Sequence, residues 1–244
     1  MAPTPGSPGR YIATRVTWAD EIFVRTGATM RYWTVGTAMA ETVWVVRHGQ
    51  RQDTVDPNWE ANAERIHDPG LTDLGRWAAW RVGRRFADAN DGFDTIYASP
   101  FLRTVQTADE ICRELGVEMR LEPGLGEHLN PEWFDSHPET VPHERLAERF
   151  DTVRLDHDPH VFPEFPEDHA EAMARAGETA SRIAKSESGT VLLVGHGLTV
   201  GGVVQGLVGS ADGVDAPLCG LTRMSRDGDD YQLDFSGDTS HLDE

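Results

Sequence analysis

The sequence predicts an α/β protein, a three-layer α/β/α sandwich built around a mostly parallel central sheet. Short runs of apolar, largely β-branched residues alternate with longer stretches of helical period, which is the pattern of consecutive βαβ units. The chain has 244 residues and is 39% hydrophobic, which is enough for one α/β domain with a large core. We expect that domain to occupy residues 39–244.

Residues 1–38 differ in composition from the rest of the chain. They carry four arginines and two acidic residues, whereas residues 39–244 carry 18 basic and 39 acidic residues. Proline and glycine are frequent at the beginning, and no sustained period follows, so we expect a poorly ordered N-terminal extension. We also expect Met39 to be the natural start, because the residues after it lead directly into the first strand of the domain.

The first strand of the domain is predicted at residues 43–46. Four consecutive apolar residues, three of them β-branched, suit a strand that is buried on both faces. Gly49 follows shortly and allows the backbone to turn sharply. A polar loop over residues 50–69 then leads into a helix from residue 71 to about residue 89, with Thr72 as its N-cap.

The later elements continue the alternation of strand and helix. We predict strands at 93–98, 117–121 and 190–194, helices at 101–115, 167–186 and up to 208, and an antiparallel pair at 217–224 and 231–235. Residues 237–244 are predicted to be a frayed tail.

Residues 129–166 interrupt this rhythm. The stretch is rich in proline, histidine and aromatic residues, and one helix is predicted within it at about 143–150. We interpret it as a cap-like insertion over one end of the sheet, where long loops tend to select the substrate. The aromatic residues that would allow a small or partly apolar ligand are Trp133, Phe134, Phe162 and Phe165.

Acidic residues dominate the expected surface of this chain. The formal net charge is −19, the isoelectric point is near 4.8, and Lys185 is the single lysine among 22 basic residues. Such a surface repels nucleic acid and anionic membranes, and it is typical of proteins that work in high salt, where charges are screened. We therefore expect a halophilic protein with no nucleic-acid partner and no membrane partner.

The sequence also allows a prediction of the cellular compartment. No apolar run approaches the roughly 18 residues of a membrane span, and no secretory signal is visible, so we expect a soluble, cytoplasmic protein. Cys112 and Cys219 are expected to be ordinary buried thiols rather than parts of a disulfide or a zinc site. The oligomeric state is left open.

Charged and imidazole side chains follow several of the predicted strands. Arg47 and His48 follow the first strand, and Arg103 lies one turn into the helix after the second. Glu127 lies in the loop after the third strand, and His196 directly follows a later one. Because the carboxyl ends of parallel strands lie at one edge of a sheet, we expect these side chains to meet in one pocket.

Two guanidinium groups, two imidazoles and one carboxylate are a set suited to phosphoryl transfer. Arginine presents a planar fork that binds phosphate oxygens, and its positive charge offsets the charge of the transferred group. A neutral histidine, with an ordinary pKa near ~6.5, can attack phosphorus at physiological pH without a separate base.

Four sequence motifs make this chain similar to the histidine phosphatase superfamily, also called the phosphoglycerate mutase-like fold. The resemblance covers residues 43–235. The motifs are Arg47-His48-Gly49, the stretch from Ser99-Pro100 through Arg103 to Gln106-Thr107-Ala108, Glu127 after Glu122-Pro123-Gly124-Leu125, and Gly195-His196-Gly197.

The resemblance implies a role for each residue of the expected pocket. It implies that His48 becomes a phosphohistidine and that Arg47, Arg103 and His196 bind the phosphoryl group. It implies that Glu127 protonates the leaving oxygen and then assists attack by water. It implies neither a metal nor a cofactor, and a phosphate ester as substrate.

Within the superfamily, the sequence most resembles the branch of the ecdysteroid phosphatases and the suppressors of T-cell receptor signalling. That branch has Arg-His-Gly-Glu-Arg followed shortly by Asp, and this chain departs from its pattern at Gln50 and Thr104. Arg51 matches the second arginine, which makes it a candidate phosphate ligand. The alternative is a surface arginine paired with Asp53 or Asp56.

Two other functions remain open within this resemblance. One is a phosphoglycerate mutase-type phosphotransferase, although the mutase pattern Arg-His-Gly-x-Ser-x-Trp-Asn is not matched by residues 50–53. The other is a phospho-ligand binding module with low turnover. We expect a metal-independent phosphomonoester hydrolase that acts on a small molecule.

Some histidines and glycines suggest other ligands, but their spacing is against it. The glycines at 201, 202 and 206 lack the spacing of a dinucleotide fingerprint and are better explained by close helix packing. The histidines with irregular spacing are interpreted as loop residues near carboxylates rather than metal ligands: His128, His137, His143, His157, His160 and His169.

Overall fold

A computed structural model describes residues 21–26, 29–34 and 39–243, and these fall into two units divided between residues 38 and 39. In the first unit, strands β1 (Glu21–Thr26) and β2 (Thr29–Thr34) pair in antiparallel fashion. The sequence analysis predicted no strands there. The rest of the predicted N-terminal extension lies outside the described residues, so its poor order stays a prediction.

The second unit is built around seven paired strands. In chain order they are Ala40–Arg47 (β3), Thr95–Ala98 (β4), Met119–Leu121 (β5), Val153–Arg154 (β6), Gly189–Gly195 (β7), Leu221–Asp227 (β8) and Asp230–Asp238 (β9). They lie across the sheet in the order β6, β5, β4, β7, β3, β8, β9. The first five strands of that order are parallel, and β8 and β9 are antiparallel. The predicted, mostly parallel sheet is confirmed.

The described residues form six α-helices. They are Trp59–Asn62 (α1), Asp73–Ala89 (α2), Leu102–Leu115 (α3), His143–Arg149 (α4), His169–Ser186 (α5) and Gly197–Val208 (α6). Thr72 caps α2, since its side chain accepts a hydrogen bond from the Gly75 amide at 3.0 Å. Gly116 ends α3 with a left-handed φ of 69°. Both predictions are confirmed.

Strand β3 separates two hydrophobic cores. The side chains of Val43 and Val45 pack on one face of the sheet with residues of α5 and α6. The side chains of Trp44 and Val46 pack on the other face with residues of α2 and α3. Because successive side chains of a strand point to opposite faces, this division confirms the three-layer sandwich.

Helices α5 and α6 approach each other closely at glycines. A Cβ atom on Gly177 would lie 2.9 Å from the carbonyl oxygen of Gly202, and one on Gly206 would collide with the backbone of Gly177. This close contact confirms the interpretation of the α6 glycines as packing residues.

Two segments differ from the sequence prediction. Strand β6 lies inside the 129–166 stretch and extends the sheet beside β5, although its two residues are too few to give a sequence signal. The predicted frayed tail at 237–244 is wrong. Ser240–Leu242 forms a 3₁₀ turn in which His241 is buried, because Leu242 packs against the core beside α2.

The parallel strands β3, β4, β5 and β7 all end at one edge of the sheet, and the polar residues that follow them lie at that edge. The predicted loop over 50–69 flanks that edge and contains α1 and a 3₁₀ turn at Gln52–Thr54. Among the described helices, none is both long and apolar enough to cross a membrane. Cys112 and Cys219 are free and buried, as predicted.

Candidate active site

His48 lies directly after β3 and is almost completely buried, with 2% of its surface exposed. Its Nδ1 atom lies 2.8 Å from the carbonyl oxygen of Gly49. A carbonyl can only accept a hydrogen bond, so Nδ1 carries the proton and Nε2 keeps a free lone pair. Burial, together with the nearby charges of Arg103 and His196, lowers the pKa of His48 well below its ordinary value. His48 is therefore a neutral imidazole with an available nucleophilic nitrogen.

Gly49 is fixed by a close approach between the turn after His48 and the first turn of α2. A Cβ atom at this position would lie 2.6 Å from the carbonyl oxygen of Gly75. The Gly49 amide donates a hydrogen bond to Oγ1 of Thr107 at 3.1 Å. The turn thus accepts no side chain at residue 49, and its backbone orients the imidazole.

Arg103 is the most enclosed arginine of the site, with 1% of its surface exposed. One terminal nitrogen lies 3.1 Å from Oε2 of Glu127 and 3.2 Å from Nδ1 of His196. Its Nε and other terminal nitrogen have no hydrogen-bond partner among the described residues, and neither has Nε of Arg47. Buried donors without a partner are costly, and a phosphate oxygen is the acceptor that suits a guanidinium best.

His196 is fully buried at the start of α6. Its Nε2 lies 2.9 Å from Oγ of Ser99, and its ring lies 5.4 Å from that of His48. Burial lowers its pKa to about 4, against the opposing effect of Glu127. The helix N-terminus beside it presents free backbone amides and the positive end of the helix dipole, which favour a bound anion.

Glu127 completes the cluster from the loop after β5. Its Oε2 lies between Arg103 and Nδ1 of His196, at 3.1 and 3.2 Å. Burial alone would raise the pKa of this carboxyl, but His196, Arg103 and His48 outweigh it and hold the pKa well below its ordinary value. Glu127 is therefore ionised in the free protein.

Arg51 stands apart from this inner cluster. Its guanidinium forms a bidentate ion pair with Asp53, at 2.9 and 2.8 Å, and Asp56 is not its partner. Both residues line the same cleft as Arg103 and Glu127. The ion pair between Arg51 and Asp53, which the sequence analysis gave as an alternative, is present. A role of Arg51 as a phosphate ligand stays a prediction.

The cleft above the buried cluster has a volume of about 300 Å³. One part of its wall is polar and the other is aromatic and apolar. The lining residues are Arg51, Asp53, Ile66, His67, Pro69, Arg103, Glu127, Trp133 and Phe134. Trp133 and Phe134 of the 129–166 stretch thus face the cleft, whereas Phe162 and Phe165 are not among its lining residues.

Two residues that sequence reasoning did not single out support the cluster. Phe101 lies under the guanidinium of Arg103, 4.6 Å from ring to Cζ, and its ring is 5.1 Å from that of His196. Asp68 accepts hydrogen bonds from the amides of Leu102 at 2.7 Å and Val141 at 3.1 Å, and so fixes the start of α3. Phe101 belongs to one of the four sequence motifs, although no role was predicted for it. Asp68 lies in a polar loop in which nothing in the sequence distinguishes it from its neighbours.

The histidines of the 129–166 stretch also needed the structure to be placed. His157 and His160 lie with Glu122 in one of two groups of potential metal ligands among the described residues. The other group is His48, Glu127 and His196. The carboxylate of Glu122 accepts hydrogen bonds from three backbone amides and from His157 Nε2, so it is already used in holding loops together. The expectation that no metal is required stays a prediction.

Comparison with known proteins decides the family. Residues 43–239 match the sequence profile of the histidine phosphatase superfamily (branch 1). The chain belongs to this superfamily. Ubiquitin-associated and SH3 domain-containing protein A of Homo sapiens is 28% identical over an alignment of 211 residues that covers 71% of this chain and 32% of that protein. Ecdysteroid-phosphate phosphatase of Bombyx mori is 29% identical over an alignment of 153 residues that covers 58% of this chain and 22% of that protein.

The histidine phosphatase chain therefore spans about a third or less of the length of these curated relatives. Among solved structures, the ecdysone phosphate phosphatase of Bombyx mori in complex with tungstate superposes with a TM-score of 0.69 at 23% identity. The superposition covers 81% of this chain and 93% of the phosphatase chain. A phosphoglycerate mutase from Bacillus anthracis gives a TM-score of 0.59 at 18% identity, covering 85% and 97%. The phosphoglycerate mutase-like fold is confirmed.

Proposed function

We propose that this protein is a metal-independent phosphomonoester hydrolase that works through a phosphohistidine on His48. One observation carries the proposal: a buried, neutral histidine with a free Nε2 lies beside buried guanidinium donors that have no partner among the described residues. Membership of the histidine phosphatase superfamily supports the same chemistry.

In the first half-reaction, the phosphoryl group of the substrate binds between Arg47, Arg103 and His196. Nε2 of His48 attacks phosphorus, and the bond between phosphorus and the ester oxygen breaks. Glu127 transfers a proton to the departing oxygen, so that the product leaves as an alcohol. The guanidinium groups stabilise the negative charge on the transferred group beside the buried side chains of His48 and His196.

In the second half-reaction, water attacks the phosphohistidine. The Glu127 carboxylate takes a proton from that water as the bond between phosphorus and His48 breaks. Phosphate leaves, His48 is again a neutral imidazole, and Glu127 gives its proton to solvent once the bound anion no longer raises its pKa. All charge stabilisation in this scheme comes from guanidinium, imidazole and backbone amide groups, so hydrolysis requires no divalent ion.

The proton on Glu127 depends on the substrate. The carboxyl is ionised in the free protein because its contacts with His196 and Arg103 lower its pKa. A phosphate group bound among those neighbours brings negative charge next to the carboxylate, which raises its pKa and favours proton uptake. The acid is therefore prepared by substrate binding.

The substrate class follows from the cleft. The polar part of its wall suits the phosphoryl group, and Trp133, Phe134 and Ile66 suit an apolar or aromatic remainder. The name of one relative states a phosphorylated ecdysteroid as its substrate. We infer a small, partly apolar phosphate ester, and the net charge of −19 disfavours nucleic acid.

The test is phosphate release from p-nitrophenyl phosphate with and without EDTA, for the unmodified protein and for His48→Ala. We expect EDTA to have no effect and the variant to lose about 3 kcal/mol or more of transition-state stabilisation, that is ~100-fold or more in kcat/KM. His137→Ala, in the exposed part of the 129–166 stretch, is the matched control. Undiminished hydrolysis by His48→Ala would exclude the mechanism.

Three further measurements on the same proteins distinguish the hydrolase from the other two candidate functions. Transfer of the phosphoryl group to 3-phosphoglycerate rather than to water would indicate a mutase. Binding of inorganic phosphate without any hydrolysis would indicate a binding module. A radiolabelled phosphohistidine that forms and then decays, and that is absent from His48→Ala, would support the hydrolase.

A further inference from the structure

The loop that carries Glu127 is bound to helix α5 by one arginine. Arg175 is 7% exposed, and its guanidinium lies against the backbone of this loop. One terminal nitrogen donates to the carbonyl oxygens of Gly124 at 2.8 Å and Gly126 at 3.2 Å, and the other donates to that of Glu127 at 3.1 Å. Three carbonyl groups within four consecutive residues are thus bound by one side chain.

The remaining donors of Arg175 bind Glu167. Its Nε and one terminal nitrogen donate to the two carboxylate oxygens of Glu167, the latter at 2.8 Å. With these bonds all five N–H groups of the guanidinium have an acceptor. The orientation of the planar fork is therefore fixed.

Glu167 in turn holds the residues on the other side of Glu127. Its amide donates to the carbonyl oxygen of Leu129 at 3.0 Å, and its Oε2 accepts from the Leu129 amide at 3.3 Å. Its carbonyl oxygen accepts from Nε2 of His128 at 3.1 Å. The backbone of Glu127 is thus fastened on both sides to one buried ion pair.

This arrangement points to a role in catalysis rather than in stability alone. A buried ion pair gains little net stability, because both charges must be removed from water. The contacts of Glu127 Oε2 with Arg103 and His196, at 3.1 and 3.2 Å, depend on where the loop backbone lies. A displacement of about 1 Å at a reacting group can cost roughly 100-fold in rate.

We propose that Arg175 is a positioning residue which, held by Glu167, places the carboxyl of Glu127 at the leaving oxygen of the substrate. The inference rests on the proposed function, since it takes Glu127 as the general acid. Arg175 itself touches neither the substrate nor the reacting atoms.

The test uses two substrates that differ in their need for an acid. Nitrophenolate departs from p-nitrophenyl phosphate with little protonation, whereas the alkoxide of an alkyl ester such as glycerol 2-phosphate must be protonated as the bond breaks. The value of kcat/KM covers binding and the steps up to the phosphoenzyme, so the change in its ratio for the two substrates on substitution reports on the general acid. A merely structural role would lower both values together.

The variants are Arg175→Lys, Glu167→Gln and Glu127→Gln. Lysine keeps the charge of Arg175 but lacks the fork that binds three carbonyl groups. We expect Glu127→Gln to lower kcat/KM for glycerol 2-phosphate about 100-fold more than for p-nitrophenyl phosphate. We expect Arg175→Lys and Glu167→Gln to shift the ratio in the same direction by about 10-fold. In the double variant Arg175→Lys with Glu127→Gln, the ratio should match that of Glu127→Gln alone.

Arg182→Lys is the matched control, because Arg182 lies on the exposed side of the same helix and pairs with Glu178. Its ratio should stay unchanged. Circular dichroism confirms that each variant is folded, and Glu167→Gln tests the inference if Arg175→Lys is not. A normal ratio in the folded positioning variants, beside a shifted ratio in Glu127→Gln, would overturn the inference. An unchanged ratio in Glu127→Gln would instead overturn the proposed acid.

Discussion

Arg51 and Asp53 form a bidentate ion pair in the wall of the cleft, with nitrogen to oxygen distances of 2.9 and 2.8 Å. The pair neutralises an arginine that would otherwise attract a second anionic group of the substrate. Among the described residues that line the cleft, Arg103 is then the arginine whose buried donors lack a partner, whereas the charge of Arg51 is matched by Asp53.

Substitution Asp53→Asn should change which esters are preferred. Releasing Arg51 favours substrates with a second anionic group, so kcat/KM for phosphoserine should rise relative to phenyl phosphate. The expected change is up to about 5-fold, since partly exposed ion pairs contribute ~0–1 kcal/mol. Asp56→Asn is the control, because Asp56 bonds to the Asn58 amide instead. A relative loss for phosphoserine would contradict this role of Asp53.

Trp133→Ala should weaken binding of apolar esters. Trp133 lines the cleft and is 56% exposed, so a bound aryl group would cover its ring. Loss of that contact should raise KM for phenyl phosphate by about 3- to 10-fold, the scale of one aromatic contact of about 1 kcal/mol, with a smaller effect on glycerol 2-phosphate. Phe162→Ala removes an exposed aromatic residue that does not line the cleft, and it should leave both KM values unchanged. Equal effects of the two substitutions would disprove the prediction.

The hydrolytic activity should persist at acidic pH. The proposed nucleophile is neutral His48. Burial lowers the pKa of His48 well below its ordinary value, so the imidazole becomes protonated, and loses its free lone pair, only at low pH. The acid limb of kcat/KM, corrected for ionisation of the substrate phosphate, should therefore lie clearly below pH 6.5. Initial rates from pH 3.5 to 8 at constant ionic strength measure it. An acid limb at or above pH 6.5 would be inconsistent with a buried neutral His48.

Stability should fall in the same pH range. The pKa of His196 is about 4 in the folded protein and near ~6.5 in the unfolded chain, so between these values the unfolded chain binds the extra proton. The free energy of unfolding should decrease as the pH falls from 6.5 to 4, by up to about 1.4 kcal/mol per pH unit for this residue. Urea unfolding at pH 7, 6 and 5 measures it, and His196→Asn should show a shallower decrease.

Salt should stabilise the fold. The net charge of −19 makes self-repulsion of the folded chain large, and added KCl shortens the Debye length to ~3 Å at 1 M. We expect the free energy of unfolding in urea to rise between 0.1 and 2 M KCl. A stability that falls above physiological ionic strength would show that this protein is not adapted to high salt.

Much of the site was predictable because strand order in a parallel sheet leaves little freedom. The residues of the expected pocket follow strands or begin helices at the same edge of the sheet, so their convergence was expected from the alternation of strands and helices alone. These residues are Arg47, His48, Arg103, Glu127 and His196. The capping of α2 by Thr72 was equally local, since it depends on residues three apart.

Other features depend on tertiary contacts without a local pattern. The choice of Asp53 over Asp56 as partner of Arg51 depends on the conformation of a loop. His241 is buried only because the chain after β9 turns back onto α2. The one available signal that was missed is Arg175, which lies on the same stripe of α5 as the buried residues Ala172, Ala176 and Thr179. An arginine in a stripe of small buried residues indicates a buried acceptor.

The last rung between β3 and β7 has a consequence for refolding. Arg47 lies opposite Gly195, and the His48 amide donates to the Gly195 carbonyl oxygen at 3.0 Å, so His48 and His196 are aligned by the pairing of two strands far apart in the chain. A slip of one residue in that register would turn every side chain of β3 to the opposite face. Recovery of hydrolysis after dilution from denaturant therefore requires that β3 and β7 have paired in the native register, so an activity assay reports on that long-range pairing.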